Sequence, residues 1–141
     1  MRLVGSDAAE ANLGSSEALT RGIRVRVASK YVASRSRPLM NEYFFAYSIQ
    51  ISNEGRETVQ LVSRHWTITD AEGQVEEVRG PGVVGEQPVL GPGDAFEYTS
   101  ACPLATPFGS MSGTYQMVTE SGEHFDAEVG RFALAEPYAI N

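Results

Sequence analysis

The feature that most constrains this chain is the period of its hydrophobic residues, which is two almost throughout. In "IRVRV", Ile23, Val25 and Val27 fall on one side while Arg24 and Arg26 fall on the other. "YFFAYSIQI" sets Tyr43, Phe45, Tyr47, Ile49 and Ile51 against Phe44, Ala46, Ser48 and Gln50. "TVQLVSRHWTITD" is rich in β-branched residues and holds Val62, Trp66 and Ile68 in one phase, with Arg64 interrupting it. "AFEYTS", "GTYQMVT" and "EHFDAEVGRFAL" alternate again, the last aligning Phe125, Ala127 and Val129. Residues two apart on an extended strand share a face, whereas a helix needs spacings of three and four. No segment after residue 21 sustains a helical stripe.

Turn signals separate these runs: "SNEGRE", "DAEG", "GPG", "LGPGD", "TPFGS" and "ESGE". About seven short strands punctuated in this way predict an all-β fold, an antiparallel β-sandwich of immunoglobulin or fibronectin type III character. Trp66 is its natural core tryptophan. Cys102 is the only cysteine, so the inter-sheet disulfide of many such sandwiches is excluded, and a small, partly buried thiol is expected there.

A chain of 141 residues builds one domain with one core. Residues 1–20 carry few large apolar side chains and are expected to form a mobile tail, leaving 21–141 as the folded domain. The N-terminal stretch has no apolar core of a secretory signal, and no apolar run approaches a membrane span, so a cytoplasmic location without membrane association is expected.

The net charge of -7 gives no electrostatic help to nucleic-acid binding. The charge is nonetheless uneven. Arg21, Arg24, Arg26, Lys30, Arg35 and Arg37 make up six of the 11 basic residues, with no acid between Glu17 and Glu42. Two readings stand for this segment. Arg24, Arg26, Lys30, Arg35 and Arg37 are candidates for docking an acidic partner, or the alternating charges protect an edge strand from unwanted pairing.

The stretch "RGPGVVGEQPVLGPGD" contains Gly80, Gly82 and Gly85 in the G-x-G-x-x-G spacing of a pyrophosphate cradle. A dinucleotide fingerprint also needs a helix directly behind the third glycine, whose N-terminus carries the dipole and free N–H groups. Pro88, Gly91, Pro92 and Gly93 leave no room for one. A helix-free anion nest at Gly80, Gly82 and Gly85, flanked by Arg79, remains as one reading, and glycines shaping a loop or bulge as the other.

Together, "SRHWTITD", "VRGPGVVGEQPVLGPGDAFEYTS" and "GSMSGTYQMV" resemble the ApaG family, the DUF525 domain, over about residues 22–138. The resemblance implies a small single-domain bacterial protein with a fibronectin type III-like sandwich. Related domains in eukaryotic F-box proteins and in a DNA polymerase delta-interacting protein are regarded as protein-interaction modules. The bacterial family is linked to cobalt and magnesium homeostasis and to the gene neighbourhood of a diadenosine tetraphosphatase. The family's pyrophosphate-binding role would fall here on Gly80, Gly82 and Gly85.

Other chemistry is sparse. His124, Asp126 and Glu128 alternate with the apolar stripe of the last strand and form a weak candidate metal set. Successive members stand roughly 7 Å apart, however, too far for one compact ion. His65, beside Trp66, is expected at the surface or bonded to a neighbouring strand. There is no G-x-S-x-G elbow and no paired nucleophile and base. The expectation is a binding module with no enzymatic activity and no cofactor, whose partner is another protein. The alternative is a sensor of pyrophosphate-containing nucleotides at Gly80–Gly85.

Overall fold

The computed structural model describes residues 14–137. Nine strands run in chain order: β1 (Ser15–Thr20), β2 (Ile23–Tyr31), β3 (Tyr43–Asn53), β4 (Val59–Asp70), β5 (Val75–Pro81), β6 (Val89–Leu90), β7 (Ala95–Leu104), β8 (Phe108–Thr119) and β9 (His124–Ala135). They form two antiparallel sheets, ordered β1-β2-β3-β7 and β5-β4-β8-β9, with β6 paired to β4. The expected sandwich is therefore present. Its strands exceed the expected seven because β1, β5 and the two-residue β6 lack the alternation that betrays a strand.

Ser15–Thr20 corrects the expectation of a mobile stretch reaching residue 20. The segment pairs along its whole length with β2, from Ser15 opposite Ala28 to Thr20 opposite Ile23. Its hydroxyls also reach the other sheet: Ser16 Oγ donates to the Gly130 carbonyl at 2.6 Å, and Thr20 Oγ1 accepts from the Glu128 amide at 3.1 Å. Side-chain hydrogen bonds replace the large apolar groups whose absence made this stretch look unable to order. The part of the expected tail that covers residues 1–13 lies outside the described residues.

Between the sheets, Phe45, Ile49, Ile51, Leu61, Met111, Tyr115, Met117 and Leu134 are almost wholly buried. Trp66 sits at their centre, its ring centroid 5.6 Å from Tyr47, 6.1 Å from Tyr115 and 6.2 Å from Phe132, all in edge-on geometry. Edge-to-face packing suits the positive rim and negative face of aromatic rings. Cys102 is buried as expected, and burial pushes its thiol up to about 11, so it stays protonated and inert.

In two of the long strands a β-bulge resets the alternation. In β4 the register slips between Leu61 and Ser63, so Leu61 and Trp66, an odd five positions apart, both point inward. Val62 is therefore not in the phase of Trp66, contrary to the simple alternation. In β9 the register slips opposite Met111–Gly113, and Val129 and Phe132 are both buried across it.

At one end of the sandwich Asn53, only 1% exposed, ties the layers together. Its Nδ2 donates to the carbonyls of Glu57 at 2.8 Å and Leu90 at 2.9 Å, and its Oδ1 accepts from the Gly55 amide at 2.9 Å. Both donors of the buried amide and its oxygen are engaged in holding two turns.

Trp66→Ala should lower the unfolding free energy by about 3–5 kcal/mol, because the surrounding rings cannot collapse into the space left by an indole. Urea denaturation followed by circular dichroism reads the loss directly.

Candidate functional site

The glycine segment follows β5 at the edge of its sheet, where strand leads to a tight hairpin and not to a helix. Val83 and Glu86 form an isolated antiparallel bridge, each amide donating to the other carbonyl at 2.8 Å. The two residues between them, Val84 and Gly85, have φ of +43° and +82°. Positive φ at both central positions is the signature of a type I′ turn, which favours Asn-Gly. Gly82, at φ +59°, is obligatory for a second reason: a Cβ there would stand 2.2 Å from the Glu86 carbonyl oxygen. The dinucleotide fingerprint is thus absent as a fold element, and two of its glycines answer to the hairpin.

Gly80 answers to Arg64. The two are register partners on β5 and β4, and a Cβ on Gly80 would meet the guanidinium at 3.0–3.2 Å. Arg64 Nη1 donates to the carbonyls of both Pro81 and Gly82, each at 2.9 Å. On the other side the bulge residue takes part: the Val62 carbonyl accepts from the Gly82 amide at 2.9 Å and from Gln87 Nε2 at 2.8 Å. The hairpin is thus clamped from both flanks. At this edge of the sheet, Arg64, His65, Arg79, Gly80, Gln87 and Gln116 line a groove of about 590 Å³. Here His65 Nε2 is 2.7 Å from Glu77 Oε1, and Arg79 is 3.5 Å from the same carboxylate. The His65 ring and the Arg79 guanidinium together hold the Glu77 carboxyl below its usual range. His65 thus bonds a neighbouring strand, as its position suggests.

Much of the charge of the basic segment is already paired with acids. β2 is an interior strand, flanked by β1 and β3, so edge protection is not its task. Arg24 is held between Glu17 and Glu54, bonding the latter through Nε at 2.7 Å and Nη2 at 3.0 Å. Arg26 bonds Glu17 and Gln50, each at 3.2 Å. Glu17 and Glu54 sit below the usual carboxylate range because these guanidinium groups bond them. Arg24 and Arg26 therefore fasten β1 and the β3–β4 turn to β2, leaving Lys30, Arg35 and Arg37 near the β2–β3 loop.

That loop is built rigidly. Arg37 and Glu42 exchange two backbone hydrogen bonds, at 2.7 and 3.0 Å, and pair through their side chains at 2.8 Å. Arg35 lies over the Phe44 ring, 4.5 Å from its centroid. Between them a single 3-10 turn, Pro38–Met40, closes on Asn41 at φ +56°. At its apex Leu39 is 101% exposed and Met40 61% exposed. Sequence reasoning singled out the basic residues here and missed the apolar pair they surround. The signal lay in "RPLMNE", an apolar dipeptide between a turn-setting proline and a left-handed asparagine.

His124, Asp126 and Glu128 project from β9 and are exposed, as alternation requires. They do not converge: among the described residues no group of three His, Cys, Asp or Glu side chains is placed to hold a metal ion. The rise of the strand keeps the three side chains too far apart to share one ion.

Val84 is the strained element of the hairpin, since a β-branched side chain at positive φ crowds its own backbone. Val84→Asn should stabilise the protein by about 1 kcal/mol, while Gly82→Ala should destabilise it. Thermal unfolding of the two variants beside the wild type tests both signs.

Comparison with known proteins agrees with this architecture. The ApaG domain is matched over residues 33–119. Protein ApaG of Rhodospirillum centenum is 58% identical over 120 residues, covering 85% of this chain and 92% of that protein. Protein ApaG of Methylobacterium sp. is 55% identical over 122 residues, covering 86% and 94%. The crystal structure of the ApaA protein of Bordetella pertussis superposes with a TM-score of 0.81 at 48% identity, over 86% of this chain and 99% of that one. With the domain matched across most of the sandwich and relatives identical at more than half of the aligned positions, this chain belongs to the ApaG family.

Proposed function

We propose that this protein is a non-enzymatic recognition module whose partner is another protein. The observation that carries the reading is the β2–β3 loop, which presents Leu39 and Met40 to solvent on a preformed scaffold. Exposing a whole leucine costs hydration free energy that a monomer gains nothing from, whereas a knob ready to enter a pocket recovers it on binding. The ordered turn also lowers the entropy lost on association. Arg35 and Lys30, on and beside this loop, suit a pocket with an acidic rim.

A groove favours a second reading, recognition of a pyrophosphate-bearing nucleotide. His65, Arg79 and Gln116 line a groove on the outer face of β4 and β5, and Arg64 reaches its rim beside Gly80. Against it stand Glu77, which already engages His65 and Arg79, and the overall charge of -7. The link of the family to cobalt and magnesium homeostasis would, on either reading, pass through what the module binds.

Leu39→Asp should weaken binding to the partner by about 2 kcal/mol or more, roughly thirtyfold, as expected for a central anchor. Because Leu39 touches no core residue, unfolding should be unaffected. The measurement is affinity capture with wild-type and variant protein at matched stability, followed by titration of the protein recovered. Equal recovery by both would remove the loop from the interface.

A further inference from the structure

The two long sides of the sandwich differ. On the β1–β9 side the sheets are stitched by Ser16, Thr20 and Ser29, the last donating to the Ala133 carbonyl at 2.6 Å. On the other side, between the edge strands β7 and β5, the layers part into a cleft of about 350 Å³ beneath the glycine hairpin. Tyr47, Trp66 and Tyr98 form its aromatic wall, Val83 and Val84 its roof, and Arg64 and Ser100 its polar groups.

The polar groups of this cleft are in surplus on one side. Tyr98 and Tyr115 stand hydroxyl to hydroxyl at 2.6 Å, an arrangement that uses one of their two protons and leaves the other without an acceptor in the pair. Tyr47 and Ser100, register partners on β3 and β7, bring two further hydroxyls to the cleft. Burial keeps these phenols protonated, and the nearby Arg64 charge opposes that upward push without overcoming it. Arg64 itself forms no ion pair among the described residues. Only its Nη1 is engaged, with two loop carbonyls, so the guanidinium is fixed in orientation while its other N–H groups remain available. No Asp or Glu lines the cleft. It is a place with donors, one cation, aromatic walls and no anion.

We propose that this cleft binds a small free carboxylic acid with an apolar, preferably aromatic, body. The planar guanidinium fork fits a carboxylate side-on, and the spare hydroxyl protons supply further donors to its oxygens. The ring of the ligand lies against Tyr98 and the edge of Trp66. A volume near the lower end of ligand sites, about 300–1,000 Å³, suits a molecule of this size and excludes several residues of an extended chain. A single cation in a cleft with no other charged group also favours one negative charge over the several of a polyphosphate.

The test uses full-length protein and two probe pairs, phenylacetate with phenylacetamide and 3-phenylpropionate with its amide. Trp66 is the only tryptophan, so its fluorescence reports on the cleft directly. Both acids should give a saturable change and the amides should bind about tenfold or more weakly, the difference expected of a charge-assisted pair. Arg64→Gln should abolish the preference for the acid. Arg64 also holds the hairpin, so Tyr98→Phe serves as a second variant that keeps the packing and should weaken the acids several-fold. No saturable change up to about 10 mM acid, well above a millimolar dissociation constant, overturns the proposal. So does equal binding of acid and amide, tighter binding of inorganic pyrophosphate than of either acid, or tighter binding of a peptide with a C-terminal phenylalanine carboxylate.

Discussion

One extra residue in β4 is the constraint on which the rest of this structure depends. β4 pairs with β5, β6 and β8 and so sits at the centre of its sheet, burying side chains along twelve residues. Strict alternation cannot place Val59, Leu61, Trp66 and Ile68 on one face, because 61 and 66 differ in parity. The bulge at Val62 absorbs the difference. It brings Trp66 into the aromatic cluster, and by the same step turns Arg64 to the inward side, two residues before the tryptophan. A charged residue in an inward phase is tolerated only where it can reach polar groups, and here the strand pairs with Gly80 at the end of β5. The bulge thus explains at once the core, the buried edge of a guanidinium and the anchoring of the glycine hairpin, whose Gly82 amide bonds the Val62 carbonyl.

This chain of consequences marks the limit of what the sequence discloses. The layers and the core were legible because burial on one face imposes a period of two, and Ile23, Val25, Val27, Phe45, Tyr47, Ile49 and Ile51 obey it without interruption. The absence of a helix after Gly85 was legible from Pro88, Pro92 and the glycines around them. What was not legible is whatever depends on a register slip. In "LVSRHW" the alternation appears broken by Arg64, and nothing local distinguishes a broken strand from a bulged one. The same holds for β1. Its serines and threonine order by bonding a strand more than a hundred residues away, a contact that local composition cannot announce.

The basic segment shows how a charge cluster dissolves once partners are placed. Read along the chain, Arg24 and Arg26 have no acid within several residues. In space, Glu17 arrives from the preceding strand and Glu54 from the following turn. Exposed ion pairs of this kind contribute little individually. Their role here is geometric: they hold a short outer strand of small residues in register, where hydrophobic burial alone would specify it weakly. Docking potential then passes to Lys30 and Arg35, which form no ion pair among the described residues.

The asymmetry of the sandwich follows from the same distribution. One seam is closed by hydroxyls that donate or accept across it, and so it has nothing left to offer a ligand. The opposite seam is bordered by two edge strands, and a sandwich whose sheets diverge there must either fill the gap or leave it. A helix or long loop would fill it; this chain supplies a four-residue hairpin bent through two positive-φ positions, one of them a valine. Such a short cover roofs the cleft without plugging it. The hydroxyls of Tyr47, Tyr98 and Ser100 and the guanidinium of Arg64 therefore face a space that the fold itself does not fill with acceptors. A core built for stability alone would place apolar groups there, since each buried polar group must find a partner merely to offset its desolvation. Their convergence at this seam gives the cleft a chemistry that the closed seam lacks.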